Sequence, residues 1–144
     1  MKIVVDTNIV ISAMLKANSP ISDVLLSPQF DIELFSPYEL FLEIFKHKEK
    51  IQKYSKLSET ELLEAVRIML SNISFVSVKT IDPANAIKAK ELTQGIDIKD
   101  WTFVALTLQT QGLLWTSDLK LFNHLEKNGF TNLISTKDVI QKFL

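Results

Sequence analysis

KIVVDTN, residues 2–8, follows the initial Met1 with a lysine, three branched apolar residues, an aspartate, a threonine and an asparagine. A short unbroken run of β-branched residues reads as a strand covered on both faces, as in a parallel sheet. This strand stops on a carboxylate rather than on glycine or proline. Asp6 has a plain reading as a strand-ending turn residue or as the cap of the next helix. It has a chemical reading as one arm of a metal site.

Working outward from that strand, the pattern keeps alternating. Residues 9–26 read as helical, with a break near Asn18-Ser19-Pro20, and residues 32–35 read as a second strand. Ser36-Pro37-Tyr38-Glu39 has the form of a helix start, with Ser36 as cap, Pro37 in the first turn and Glu39 completing a capping box. That helix is expected to run to about Lys53. A second box, Ser58 to Glu61, opens a helix to about Leu70, and Phe75 to Val78 reads as a strand. Asp82-Pro83 starts a helix through about Leu92, and an apolar helix covers Trp101 to Leu108. Leu113-Leu114-Trp115 is a strand, Asp118 begins a short helix, Leu133-Ile134 is a last short strand, and residues 135–144 close as a helix. Such alternation predicts an α/β fold with a mostly parallel sheet. Without repeats or linkers, residues 1–144 are expected to form one domain.

Composition removes several chemistries. The 144 residues hold no cysteine and two histidines, His47 and His124, far apart in sequence. Thiol nucleophiles, disulfides and zinc-thiolate sites are therefore excluded, and a reducing compartment is expected. No apolar run reaches transmembrane length and the first residues do not form a signal peptide, so a cytoplasmic protein without membrane contact is expected. The formal net charge is -1, so a nucleic-acid partner would need a local patch rather than a global field.

Carboxylates carry the remaining chemistry. In open α/β sheets ligands bind at the carboxyl ends of strands. Asp6 follows the first strand, and Asp118 follows Leu113-Leu114-Trp115 after Thr116 and Ser117. Asp100 opens the apolar 101–108 helix, whose N-terminus should therefore lie inside the domain. In the second helix Leu40, Phe41, Ile44 and Phe45 form the expected core stripe, and Glu43 stands on its border. Glu39 and Glu49 are nearby, and spacing alone does not separate them from Glu43. Gathered acids repel and hold protons. A divalent cation with oxygen ligands removes that conflict, as Mg²⁺ or Mn²⁺ does. Each acid also has a structural reading: Asp97 and Asp100 at capping spacing, Asp118 as a cap, Glu43 as a solvated border residue.

The set Val4-Val5-Asp6-Thr7-Asn8, Glu43, Asp97 to Leu106 and Trp115-Thr116-Ser117-Asp118 resembles a PIN domain over nearly the whole chain. That resemblance implies helices sandwiching a parallel sheet of about five strands, an α/β/α architecture. It implies a Mg²⁺- or Mn²⁺-dependent ribonuclease with Asp6, Glu43, Asp100 and Asp118 as the catalytic, metal-binding acids. Asn8 and Thr116 match supporting polar positions, and Asp97 joins the rim. Hydrolysis would leave a 5′-phosphate and a 3′-hydroxyl, with no histidine needed as general base. Many single-domain PIN proteins are toxins held by a small antitoxin, and the resemblance also implies a homodimer.

Other readings have their own requirements. A haloacid-dehalogenase-type phosphatase needs a second Asp two residues after the first, where this chain has Asn8. A receiver domain needs an early acid pair and an Asp after the third strand, and none follows Phe75 to Val78 until Asp82. A PIN-like module without catalysis, binding RNA or protein, is the remaining alternative. Lys46, His47, Lys48, Lys50, Lys53 and Lys56 either grip phosphates beside the acids or solvate a helix end. Trp101 either stacks a base or packs in the core. Arg67 is the single arginine, so bidentate base reading by arginine is not expected. Leu62, Leu63, Val66, Met69 and Leu70 read as core or helix-pair packing.

Overall fold

In the computed structural model, which describes residues 1–16, 18–29 and 31–144, the opening strand lies at the centre of the sheet. Strand β1 (Lys2–Val5) pairs with β2 (Glu33–Pro37) on one side and β4 (Leu113–Trp115) on the other. The outer strands are β3 (Ile73–Val76) and β5 (Leu133–Ile134), giving the order β3-β2-β1-β4-β5 among the described residues. Every pairing is parallel, so the sheet goes beyond the mostly parallel expectation. The chain builds outward from β1 through β2 to β3, then crosses back to β4 on the other flank. The gap above β1 and β4 is thus the topological switch point, where doubly wound sheets bind ligands.

Helices flank this sheet. Ile3, Val4 and Val5 have no exposed surface, as their branched sequence requires. Helix α1 (Thr7–Leu15) leaves β1 at Asp6, and α2 (Pro20–Leu26) follows a capping box of Ser19 and Ser22. The expected helical stretch 9–26 includes Ala17, which lies outside the described residues. Helix α7 (Trp101–Thr110) packs on β1, β2 and β4, with α6 (Pro83–Leu92) against it. Its residues 102–107 are all buried. The apolar sequence predicts the N-terminus of α7 inside the domain, but it emerges at the rim: Asp100 and Trp101 are half-buried and Ile98 is exposed.

Five local expectations are corrected. Ser36 and Pro37 do not start a helix; they extend β2, paired with Phe75 and Val76. The Ser36 hydroxyl donates to Val5 O at 3.3 Å, and this bond together with the pairing to β3 outweighs the local capping signal. Helix α3 (Glu39–Lys46) begins after Tyr38 with no side-chain cap. The helix expected to reach Lys53 breaks at His47 into α3 and α4 (Lys48–Ser55). Strand β3 starts two residues early at Ile73, and Val78 instead opens a 3-10 turn capped by Ser77. The core stripe of α3 is narrower than predicted. Leu40 and Ile44 are buried, whereas Phe41 and Phe45 are exposed, Phe45 by 75 %. So short a helix buries a single i, i+4 line. In α5 (Glu59–Met69) the capping box forms as expected and Leu62 and Met69 are buried, but Leu63 faces outward at 64 % exposure.

One glycine holds the central register. A Cβ built on Gly112 would lie 2.5 Å from the Lys2 carbonyl oxygen, which belongs to backbone and cannot swing aside. Gly112→Ala is expected to destabilise the fold by about 1–3 kcal/mol, the usual cost of overpacking. Urea unfolding measures it, and an unchanged midpoint would refute the close approach.

Candidate active site

The switch point is furnished by β1 and β4. Asp6 is the first residue past β1, and its backbone N–H continues the ladder to Trp115 O at 3.0 Å. Its side chain caps α1 by accepting from Thr7 N at 2.8 Å on Oδ1. Oδ2 accepts from the Thr116 hydroxyl at 2.7 Å. Thr116 is itself buried just past β4, and its Oγ1 accepts from Asp118 N at 3.1 Å. One hydroxyl therefore ties the first acid to the last. Asp118 caps α8 (Leu119–Lys127) through Leu121 N at 3.2 Å. Asn8 Oδ1 accepts from Ser117 N at 3.4 Å, a second link between the two strand ends. The capping readings of Asp6 and Asp118 are therefore correct, and they fix each carboxylate at the sheet edge.

The other acids arrive from the helices. Asp100 closes the 3-10 turn Ile98–Asp100 and precedes α7, making no side-chain cap bond. Asp97 starts that turn and accepts from Lys99 N at 3.0 Å. Glu43 projects half-buried from α3.

These side chains lie closely enough together to feel one another's charge. Burial pushes the Asp6 carboxyl from 3.8 to about 6, against its hydrogen bonds from Thr116 and Thr7, and the charge of Asp118 adds to the rise. Asp100 is raised to about 7, first by burial and then by Asp6, Asp97, Glu43 and Asp118. Glu43 is raised by burial, then by Asp6 and Asp97, while Thr7 and Lys46 pull it down. Glu43, on α3, lies close enough to Asp6 and Asp97 to feel their charge, while Glu39, on the same helix, holds a buried carboxylate oxygen without a partner. The structure brings together Asp6, Glu43, Asp97, Asp100 and Asp118.

The donor set was tested against a divalent cation. Every acid offers oxygen only, and the lifted carboxyls of Asp6, Glu43 and Asp100 are what a nearby cation would bring back down. Two buried hydroxyls beside these acids, Thr7 Oγ1 and Thr102 Oγ1, have no hydrogen-bond partner. Thr7 Oγ1 offsets part of the Glu43 shift but falls outside hydrogen-bond geometry. In chemistry and charge the residues fit. They are not a closed cage: among the described residues no group of three or more such side chains is arranged to hold an ion as it stands.

Basic residues divide in a way the sequence could not show. Lys46 and His47 line a cavity of about 280 Å³ with Glu43, Asp97 and Lys99. Lys50 reaches a different cavity with Asn8, Lys48 pairs with Glu59, and Lys56 ends α4 in a left-handed conformation. Lys99 was missed by the sequence reading, although it stands between Asp97 and Asp100. Thr7 and Thr102 were missed too, since an unpartnered hydroxyl is visible only in three dimensions. Trp101 packs against the core with Lys90 Nζ 4.6 Å from its ring centre, so packing is the observed role.

A five-strand parallel sheet with acids gathered at its switch point defines an α/β protein with a ligand site at that edge. A family model for the PIN domain matches residues 4–134, and the chain belongs to the PIN domain family. PIN domains are generally nucleases and generally use divalent metal ions. No curated protein matches the chain significantly. Among the described residues no single helix is long and apolar enough to cross a membrane.

Proposed function

We propose that the chain is a divalent-metal-dependent endoribonuclease, with Asp6, Glu43, Asp100 and Asp118 as its catalytic acids and Asn8, Thr116 and Asp97 supporting them. The observation that carries the reading is the gathering of these acids at the switch point, where one Thr116 hydroxyl links Asp6 to Asp118 and burial, then the neighbouring acids, push Asp100 up to about 7. Asp6 and Asp118 are oriented by the Thr116 hydroxyl, which donates to one and accepts from the backbone of the other. Glu43 on α3 and Asp100 in the turn before α7 lie near them. A bound Mg²⁺ or Mn²⁺ supplies Lewis acidity, lowering the pKa of water and balancing charge on phosphoryl oxygens. Lys46 and Lys99 sit where they can take up an RNA phosphate adjoining the acids. The products would carry a 5′-phosphate and a 3′-hydroxyl. We read the biological role as the toxin of a toxin–antitoxin pair, active in the cytoplasm as a single-domain homodimer and held by a small antitoxin protein. That role rests on the family resemblance.

A second reading, a PIN-like module that binds RNA or protein without catalysis, is favoured by one observation, the absence of a ready-made metal cage among the described residues. One experiment separates the two. Purified protein is incubated with mixed RNA in Mg²⁺, in Mn²⁺ and in EDTA, and product ends are mapped. Metal-dependent cuts bearing 5′-phosphates, arrested by EDTA, are expected. A folded protein that cuts in neither metal and binds no Mn²⁺ would establish the binding module instead.

A further inference from the structure

We propose that the slot between α1 and α4 is a nucleobase subsite, seating one unpaired RNA base beside the acidic centre. The inference rests on the ribonuclease reading and adds where the strand lies. The slot encloses about 260 Å³ and has three kinds of wall. Ile11, Leu15 and Ile51 form an apolar lining, of which Ile51 is buried and Leu15 is 38 % exposed. Asn8 and Ser12 add hydrogen-bonding groups, and His47 and Lys50 complete the lining.

That combination matches one nucleotide. A base has apolar faces and polar edges, and in single strands both are free for packing and hydrogen bonding. Its phosphate needs a cation, which Lys50 supplies. A chain of net charge -1 offers no general attraction to a duplex, so contact with nucleic acid has to be local.

Position supports the same occupant. Asn8 lies two residues after Asp6, and its Oδ1 is anchored to Ser117 N beside Asp118. At the other end His47 is shared between the slot and the cavity holding Glu43, Lys46, Asp97 and Lys99. The helix break at His47, which the sequence did not predict, is what turns this residue into the corner between the two cavities. A strand running from Lys99 and Lys46 past His47 to Lys50 would follow cations on both sides of the acids. A base in the slot would then fix which phosphodiester faces them.

The test is equilibrium binding in EDTA, by fluorescence anisotropy, of fluorescein-labelled RNA pentamers of each base and of a matched RNA duplex. Wild-type protein is compared with Ser12→Phe, which fills the slot, Lys50→Ala, which removes its cation, and Lys137→Ala on the exposed face of the last helix. Circular dichroism confirms that each variant is folded. Single-stranded pentamers are expected to bind better than duplex. Ser12→Phe and Lys50→Ala should each raise Kd about tenfold, the scale of one lost apolar packing contact or one lost phosphate contact, and Lys137→Ala should leave it unchanged. Wild-type affinity in Ser12→Phe, equal affinity for duplex, or no RNA binding by the wild type would each overturn the subsite. Metal-dependent cleavage of mixed RNA is scored separately, so the nuclease reading can stand while the subsite falls, and the reverse.

Discussion

Asp6→Asn is expected to abolish metal-dependent RNA cleavage while leaving the fold intact. Asparagine keeps the shape of aspartate and one carbonyl oxygen, so the Thr116 hydroxyl or the Thr7 N–H can still be received. What disappears is the negative charge at the switch point. Activity on RNA should fall by at least about a thousandfold, since the acids and their cation are asked for several kcal/mol of transition-state stabilisation. Stability should move the other way. Burial already disfavours the charged form of Asp6, so removing that charge should leave Tm at pH 8 equal to or above wild type. This pairing of lost activity with retained stability separates a functional carboxylate from a structural cap. A carboxylate that served only as a cap would keep both stability and activity, because asparagine caps a helix as well as aspartate does. Single-turnover cleavage and thermal unfolding on the same preparation read both quantities, and an Asn variant with wild-type cleavage would remove Asp6 from the site.

How the sequence carried this far is visible in particular residues. The branched run Ile3-Val4-Val5 marked a doubly covered strand, and that strand proved to be the centre of the sheet. Continuous apolar character in residues 101–108 marked a buried helix, and Asp100 stands half-buried at its start. These signals are local and strong, because burying a whole element leaves little freedom in its residue types. Ser36-Pro37 failed for the opposite reason. Its capping signal is worth about 1 kcal/mol, and pairing with β3 together with the Ser36 hydroxyl's bond to Val5 O overrides it. Which α3 acid comes within reach of Asp6 depended on how α3 turns against the sheet, which helical spacing alone does not fix. The division of the lysines, with Lys48 paired to Glu59 and Lys50 lining the slot, follows from the break at His47. No glycine or proline announces that break.

Stability of the metal-free protein is expected to fall as pH rises from about 4 to about 7, and added Mn²⁺ should restore it at the alkaline end. Asp6 sits at about 6 and Asp100 at about 7 in the fold, both above the 3.8 of a free aspartate. Between those values the folded state holds protons that the unfolded chain has released. The unfolded state then binds fewer protons, so stability declines with increasing pH. The contribution of each group is complete below the unfolded pKa and lost through the folded one. For buried Asp6 about two pH units correspond to about 3 kcal/mol. Asp100 is partly solvated and screened, so its share is about 1–2 kcal/mol. Together they predict a fall in Tm of roughly 10 °C across this window. Asp100→Asn should flatten the slope, because it removes the group that burial and the charges of Asp6, Asp97, Glu43 and Asp118 raise furthest. Mn²⁺ at pH 8 meets ionised carboxylates, and at a hundredfold excess over Kd should return about 2.7 kcal/mol. At pH 5 the same addition competes with protons and should return little. A Tm that is flat from pH 5 to pH 8 in EDTA would show that the acids do not repel one another as placed. A falling Tm that Mn²⁺ fails to restore would show that their repulsion serves something other than a cation.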